Sequence, residues 1–293
     1  MPYSLIDHTR EFICRKRFRG HSSPHFYPSE ASVQIVNEFG EKEVLGNCLR
    51  ASYFRCVGED GRPHSAKSQM YFLLGKAVEK MLIDEWREMG IFVANAVRFE
   101  NPEYHISGEL DVVLREPGTN TLFGTEIKSI AGYRADVEIF GNKHNAGKPK
   151  MNQLLQALIY AHEFRNTLAY FKMFYQERGT GDQAEFNVYS TIDERSNGTI
   201  IYTPSIDGVP LNSFTINDVY DRYKLLQDHL TQGTPPDKDF QIYYTDDVIE
   251  QRFAQKRLSK SKYQEFKKKG NKARPGDWQC FPAYCSYSHI CWK

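Results

Sequence analysis

Asp111, Glu126 and Lys128 fall within eighteen residues of one another along the chain. Two carboxylates and a lysine at one end of a sheet make a site with a definite use. The carboxylates hold a hard divalent cation through oxygen, and the ammonium orients water and steadies charge developing on a phosphate. Asp111 sits in the apolar run Gly108-Glu109-Leu110-Asp111-Val112-Val113-Leu114, and the next run contains Thr125-Glu126-Ile127-Lys128-Ser129. Side chains alternate across a strand, so Glu126 and Lys128 share a face, and a hairpin between the two runs brings Asp111 near them. Taken singly, Glu-x-Lys is a weak signal. A second chemistry lies in Cys280, Cys285 and Cys291, separated by four and five residues. Three thiols need a fourth to close a tetrahedral or cuboidal metal site, and it must come from far away, from Cys14, Cys48 or Cys56. Buried free cysteines and a zinc site compete with this reading, although zinc usually takes paired short spacings and only one half is present.

These residues need elements to position them. From Ser65 to Met89, Met70, Leu73, Leu74, Ala77, Val78, Met81, Leu82 and Trp86 recur at three and four residues, with Gly90 as a stop. This predicts an amphipathic helix. Val93–Phe99, Ile106–Leu114 and Leu122–Ile130 read as strands, the last two joined by a turn with Pro117, Gly118 and Asn120. Met151–Phe164 reads as a helix and Leu168–Tyr175 as a strand. Helix, three strands, helix, strand is a mixed α/β order. Glu185–Tyr202 suggests a strand pair. A helix over Ile216–Gln232 follows, with Thr215 and Asp218 as a capping box and Gly233 as its stop.

The 293 residues carry a net charge of only +1, which by itself disfavours a nucleic-acid partner. The charge is uneven. Between Gln251 and Arg274 stand ten basic residues and one acid, a charge of +9, while the rest of the chain has 28 basic residues against 36 acidic, or −8. Such a run is commonly a solvated helix face. Here it is interleaved with Phe253, Tyr263 and Phe266, and basic-plus-aromatic surfaces suit single-stranded nucleic acid. A smaller basic group comprises Arg15, Lys16, Arg17 and Arg19. No window approaches the roughly 18 apolar residues of a membrane span, and the first ten residues lack the apolar core of a signal peptide. An intracellular, cytoplasmic protein without a membrane partner is expected, in which clustered cysteines suggest metal rather than disulfides.

The combination of a strand with Asp111 after Gly108, a turn, and Glu126-x-Lys128 on the partner strand resembles the PD-(D/E)xK nuclease superfamily. Gln156-Ala157-Leu158-Ile159-Tyr160 on the following helix resembles the Q-x-x-x-Y motif of its RecB-type branch, where the spacing of four puts Gln156 and Tyr160 on one face; Gln153 is a competing glutamine. That branch usually has a histidine four residues after a helical glycine. Here Gly75 is followed by Glu79, a carboxylate that could serve as an oxygen ligand or simply face solvent. One upstream cysteine with three at the C-terminal end resembles the iron-sulfur subgroup, including the AddB nuclease domain and the CRISPR-associated exonuclease family. The upstream pattern there is Cys-x-Arg followed by an aromatic, which Cys48-Leu49-Arg50-Ala51-Ser52-Tyr53 matches, with Cys56 as the rival.

The resemblance implies a restriction-endonuclease-like core: a mixed central sheet flanked by helices, with a C-terminal iron-sulfur region. It implies Mg²⁺ or Mn²⁺ on Asp111, Glu126, the Ile127 carbonyl and Glu79, with Lys128, Gln156 and Tyr160 completing the catalytic set. It further implies a 4Fe-4S cluster on Cys48, Cys280, Cys285 and Cys291. The expected activity is a metal-dependent DNA exonuclease acting on single strands or duplex ends. Arg252, Lys256, Arg257, Lys260, Lys262, Lys267, Lys268 and Lys269 would guide DNA, and a homo-oligomer or a recombination protein would be the further partner. The alternative is a catalytically weak DNA-binding subunit of a recombination or helicase complex. Along the chain this gives an N-terminal extension (1–44), a nuclease core with the first cluster cysteine (45–177), an insertion of strand pair and helix (178–250), and the basic segment with the cysteine cluster packing back on the core (251–293).

Overall fold

The computed structural model describes residues 5–15, 25–132, 137–194 and 200–292. Lys16, Arg17 and Arg19, and the side chains of Cys14 and Arg15, lie outside what is described. In chain order the elements are α1 (Leu5–Arg15), β1 (Ser32–Val36), β2 (Lys42–Gly46), α2 (Leu49–Cys56), α3 (Ala66–Glu88), β3 (Phe92–Asn101), β4 (Ile106–Arg115) and β5 (Leu122–Ile130). Two short strands follow, β6 (Gly141–Asn142) and β7 (Asn145–Ala146), then α4 (Met151–Glu163), β8 (Tyr170–Glu177), β9 (Gln183–Glu194), β10 (Ile200–Ile206) and β11 (Val209–Pro210). The chain continues with α5 (Ile216–Gln232), α6 (Asp246–Ala254), α7 (Lys260–Lys269) and α8 (Ser288–Cys291). It is a mixed α/β fold. A seven-stranded sheet in the order β11-β10-β9-β8-β5-β4-β3 is flanked by helices. All its neighbours are antiparallel except β5 and β8, which are joined across α4 as a parallel pair.

The two faces of the sheet are covered differently. On one, Leu154, Leu155, Leu158 and Ile159 of α4 and Val219, Tyr223 and Leu226 of α5 are buried with Ile130, Phe171, Met173 and Tyr175 of the strands and Val33 of the β1–β2 hairpin. On the other, Leu82, Ile83 and Trp86 of α3 pack on Val112, Leu114, Phe123 and Ile127. Alternation along β5 produces both contacts, because Phe123 and Ile127 point to α3 while Ile130 points to α4. Residues 178–250 supply β9, β10 and β11 of this sheet and the α5 face of its core.

Cap chemistry sets the helix ends as the sequence predicts. The Ser65 hydroxyl accepts from Ser68 N at 3.1 Å to open α3. Thr215 and Asp218 form the reciprocal box that opens α5, and Gly233, at φ +67°, closes it in the left-handed conformation. The expected apolar stripe of α3 is buried only toward its C-terminal end, at Leu82 and Trp86. Met70, Leu73, Leu74 and Met81 remain 41–50% exposed. At about 1.5 Å per residue the 23-residue helix is roughly 34 Å long. Among the described residues no helix is long and apolar enough to cross a membrane.

Candidate functional site

The β4–β5 ladder runs from Arg115↔Leu122 only as far as Val112↔Thr125. Beyond it the strands part: β4 stays with β3, and Glu126–Ile130 pair with Met173–Glu177 of β8 alone. The Asp111 carboxylate bridges the fork, accepting from Ile127 N at 2.7 Å where a ladder carbonyl would otherwise serve. Glu126 is buried, with one oxygen doubly engaged. Its Oε1 accepts from Lys128 Nζ at 2.6 Å and from Gln156 Nε2 at 2.7 Å. Its Oε2 is buried and has no partner among the described residues. Lys128 Nζ also donates to Gln156 Oε1 at 2.9 Å, so α4 locks the relative placement of acid and base.

Gln153, the competing glutamine, is turned elsewhere: its Oε1 accepts from the Tyr175 hydroxyl at 2.9 Å. Gln156 is the one at the fork. Tyr160 is buried one turn further on, and its hydroxyl donates to the Glu109 carbonyl at 3.0 Å, tying α4 to the β4 side of the opening. Its ring meets Phe99 edge-on with centroids 5.8 Å apart. Phe99 lies so close over Gly108 that a Cβ there would come within 2.4 Å of the ring, so the glycine before Asp111 is required by packing.

Charge completes the picture. Burial raises the Asp111 carboxyl well above the usual range, and the nearby Glu126 and Glu79 push the same way against Lys128. Glu79, half-buried on α3, is likewise raised by burial; Lys76 opposes this while Glu126 and Glu109 reinforce it. Burial alone would pull Lys128 down, but Glu126 and Asp111 outweigh it and the ammonium is held more tightly than usual. Three carboxylates thus face the partly buried Lys128 ammonium with only Lys76 to assist it, and the excess negative charge favours either a proton or a cation. Sequence reasoning missed Lys76, whose signal is its place one turn before Glu79 on the same helix. As the side chains stand, no three His, Cys, Asp or Glu among the described residues are gathered as a metal-ligand group. The donor set nevertheless suits a hard divalent cation, because Glu126 Oε2 is an orphaned buried oxygen beside carboxylates in electrostatic excess.

Cys48 and the three C-terminal cysteines lie near one another without being gathered as a ligand group. Cys48 lies within electrostatic reach of Cys280 and Cys285, Cys280 of Cys285 and Cys291, and Cys285 of Cys291. Burial pushes Cys48 and Cys280 up to about 12 and raises Cys285 and Cys291. Cys48 and Cys285 also line one cleft of about 220 Å³ with Trp278 and Tyr287. Cys56, raised to about 11 by burial, is influenced instead by Arg55 and Glu30. Of the two rivals, it is therefore Cys48 that lies within electrostatic reach of Cys280 and Cys285. Four soft donors of this kind match the thiolate chemistry of zinc or an iron-sulfur cluster. The cluster end is pinned by Leu49 N donating to Asp239 Oδ2 at 2.7 Å, by Arg222 on both Asp239 oxygens at 2.7 Å, and by Arg62 N on the Ser286 carbonyl at 2.8 Å.

The basic segment forms the α6–α7 pair around Tyr244, Ile249, Leu258 and Phe266. Its interleaved rings are turned inward, with Phe253 and Tyr263 stacked on each other at 3.8 Å and 3°. Arg257 is committed to Glu41 and Glu43 at 2.9 and 2.8 Å, and Lys267 and Lys269 to Glu250 and Glu265. Arg252 lies over the Tyr244 ring. Lys256, Lys260, Lys262 and Lys268 show no ion pair with the described residues.

No protein-family model matches the chain, and no curated protein sequence does. Among solved structures, it is similar to the crystal structure of a protein called SSO0001, at 13% identity and a TM-score of 0.39 over 80% of this chain and 90% of that one. A likeness at that level carries no argument.

Proposed function

We propose that the protein is a divalent-metal-dependent nuclease that hydrolyses DNA phosphodiester bonds at single strands or duplex ends. What carries the proposal is the fork, where a buried carboxylate with one orphaned oxygen, a carboxyl held above its ordinary range and a partly buried ammonium meet where two strands part. Asp111, Glu126 and the Ile127 carbonyl would hold Mg²⁺ or Mn²⁺, with Glu79 supplying a further oxygen from α3. When bound, the metal supplies Lewis-acid stabilisation of the phosphate and its leaving oxygen. Lys128 Nζ has three donors, of which Glu126 and Gln156 take two. The third is left to orient the attacking water. Gln156 keeps that ammonium in register with Glu126, and Tyr160 holds the β4 arm of the opening. Lys256, Lys260, Lys262 and Lys268 would meet phosphates as a solvated charge patch.

Cys48, Cys280, Cys285 and Cys291 would hold a 4Fe-4S cluster that ties the start of α2 to the C-terminal segment. Protein purified without oxygen is expected to be brown, and a colourless protein with stoichiometric zinc overturns the cluster. For the activity, labelled single-stranded DNA is incubated with Mn²⁺ with and without chelator. Cleavage abolished by chelator is expected. Chelator-insensitive binding without cleavage would make the chain a DNA-binding subunit of a larger recombination or helicase assembly.

A further inference from the structure

α1 packs against α3, yet the N-terminal half of α3 keeps an apolar surface part-exposed, and that surface is neither uniform nor uncharged. Tyr71 and Phe72 lie 47% and 48% exposed on it. Cations and rings flank them: Arg178 lies 5.1 Å over the Tyr71 ring and Lys67 5.9 Å from it, while His64 meets Phe72 edge-on at 5.3 Å. These contacts fix where the rings are. The Arg178 guanidinium also donates to the Ile130 carbonyl at 3.3 Å, at the end of β5 that carries Lys128 two residues earlier. Along the helix, Tyr71 precedes Glu79 by eight residues, or about 12 Å. The Tyr71 ring is therefore tied to the end of β5 that carries Lys128, with Phe72 next to it on α3.

We infer that the N-terminal half of α3 is a base-stacking platform for single-stranded DNA, with Tyr71 and Phe72 as its faces and Lys67 and Arg178 as its phosphate-side cations. This rests on the nuclease proposal for its substrate class. A single strand is selected because its unstacked bases offer π-faces to exposed rings, which a closed duplex does not. Charge complementarity favours a polyanion over a second copy of an apolar helix, since cations rim the patch and one lies over its ring. The contrast with α6–α7 is direct: there the rings stack on each other while Lys256, Lys260, Lys262 and Lys268 face solvent, which serves phosphate attraction without reading bases.

The experiment uses the full chain with chelator present, so that binding is read without cleavage. The double substitution Tyr71→Ala and Phe72→Ala, at exposed helical positions, is expected to weaken Kd for a labelled single-stranded oligonucleotide about tenfold or more. Affinity for a blunt duplex and the salt dependence of binding should stay unchanged, because the rings release no counterions. The doubly substituted Lys262→Ala, Lys268→Ala protein should do the reverse, lowering the salt slope for both substrates. Wild-type single-strand affinity in the ring variant with its circular dichroism intact overturns the platform, and so does a change in solution mass without a change in affinity, which would make the patch a self-association face. If the wild-type chain binds the strand but never cleaves it with Mn²⁺, the nuclease proposal fails while the platform stands. If it cleaves and the ring variant binds normally, the platform alone fails.

Discussion

The carboxylate fork and the thiol cluster are both gathered from separated parts of the chain, but by different means. The fork is a product of register. Asp111 and Glu126 lie on neighbouring strands of one hairpin, and Gln156 arrives on the helix that connects β5 to its parallel partner β8. The cluster is a product of docking. Cys48 stands at the start of α2, and Cys280, Cys285 and Cys291 lie on short helical turns and the loop between them more than two hundred residues later, with Asp239, Arg222 and Arg62 pinning the two segments. A site built by register survives loss of its own side chains, because the ladder does not depend on them. A site built by docking holds its scaffold together, so its loss spreads.

Substitutions can break that contrast. Asp111→Asn retains an acceptor for Ile127 N and removes a carboxyl whose ionised form is disfavoured. Nuclease activity should fall about a thousandfold or more while the melting temperature holds or rises; a drop in stability would show that the fork is structural. Cys48→Ser should instead cost on the order of 3 kcal/mol or more and lower the melting temperature by about 10 °C, with Cys56→Ser within a degree or two of wild type, read by thermal unfolding. Equal losses from the two serines would dissolve the distinction between the thiols.

The fork should also compete protons against cation. The folded-state pKa of Asp111 is raised, so its contribution to stability is complete below the ordinary carboxylate range and is lost as pH rises through the raised value. Added Mn²⁺ should therefore stabilise more at pH 8 than at pH 5, and Asp111→Asn should flatten that difference. The smallest effect separates the two glutamines. Gln156→Ala should slow cleavage about tenfold with little change in melting temperature, whereas Gln153→Ala, which strands the buried Tyr175 hydroxyl, should cost about 1 kcal/mol and leave the rate alone.

The fork was legible because strand alternation and a helical spacing of four are local rules, and they put Glu126, Lys128, Gln156 and Tyr160 in place once the order of elements was read. What periodicity does not report is what lies across an apolar face. It therefore gave α3 its ends but not the exposure of Met70, Leu73 and Leu74, and it found the rings of the basic segment without showing that Phe253 and Tyr263 would stack on each other. Glu79 shares the electrostatics of the fork only because α3 crosses near it, which no spacing encodes. The choice of Cys48 over Cys56 was likewise a matter of docking, and Asp239, which anchors it, stood in a stretch with no motif to mark it.

The early part of the chain depends on the late part. Tyr223 donates to the Tyr27 carbonyl, Arg222 to Ser32, and Arg62 N to Ser286, so the surroundings of the β1–β2 hairpin and α2 are completed only by residues made far downstream. During synthesis these first elements must wait, with Val33, Leu49 and Phe54 uncovered, for most of the time the ribosome spends on the chain. Folding that must close such long loops is slow, and the waiting surface is the one most open to wrong partners.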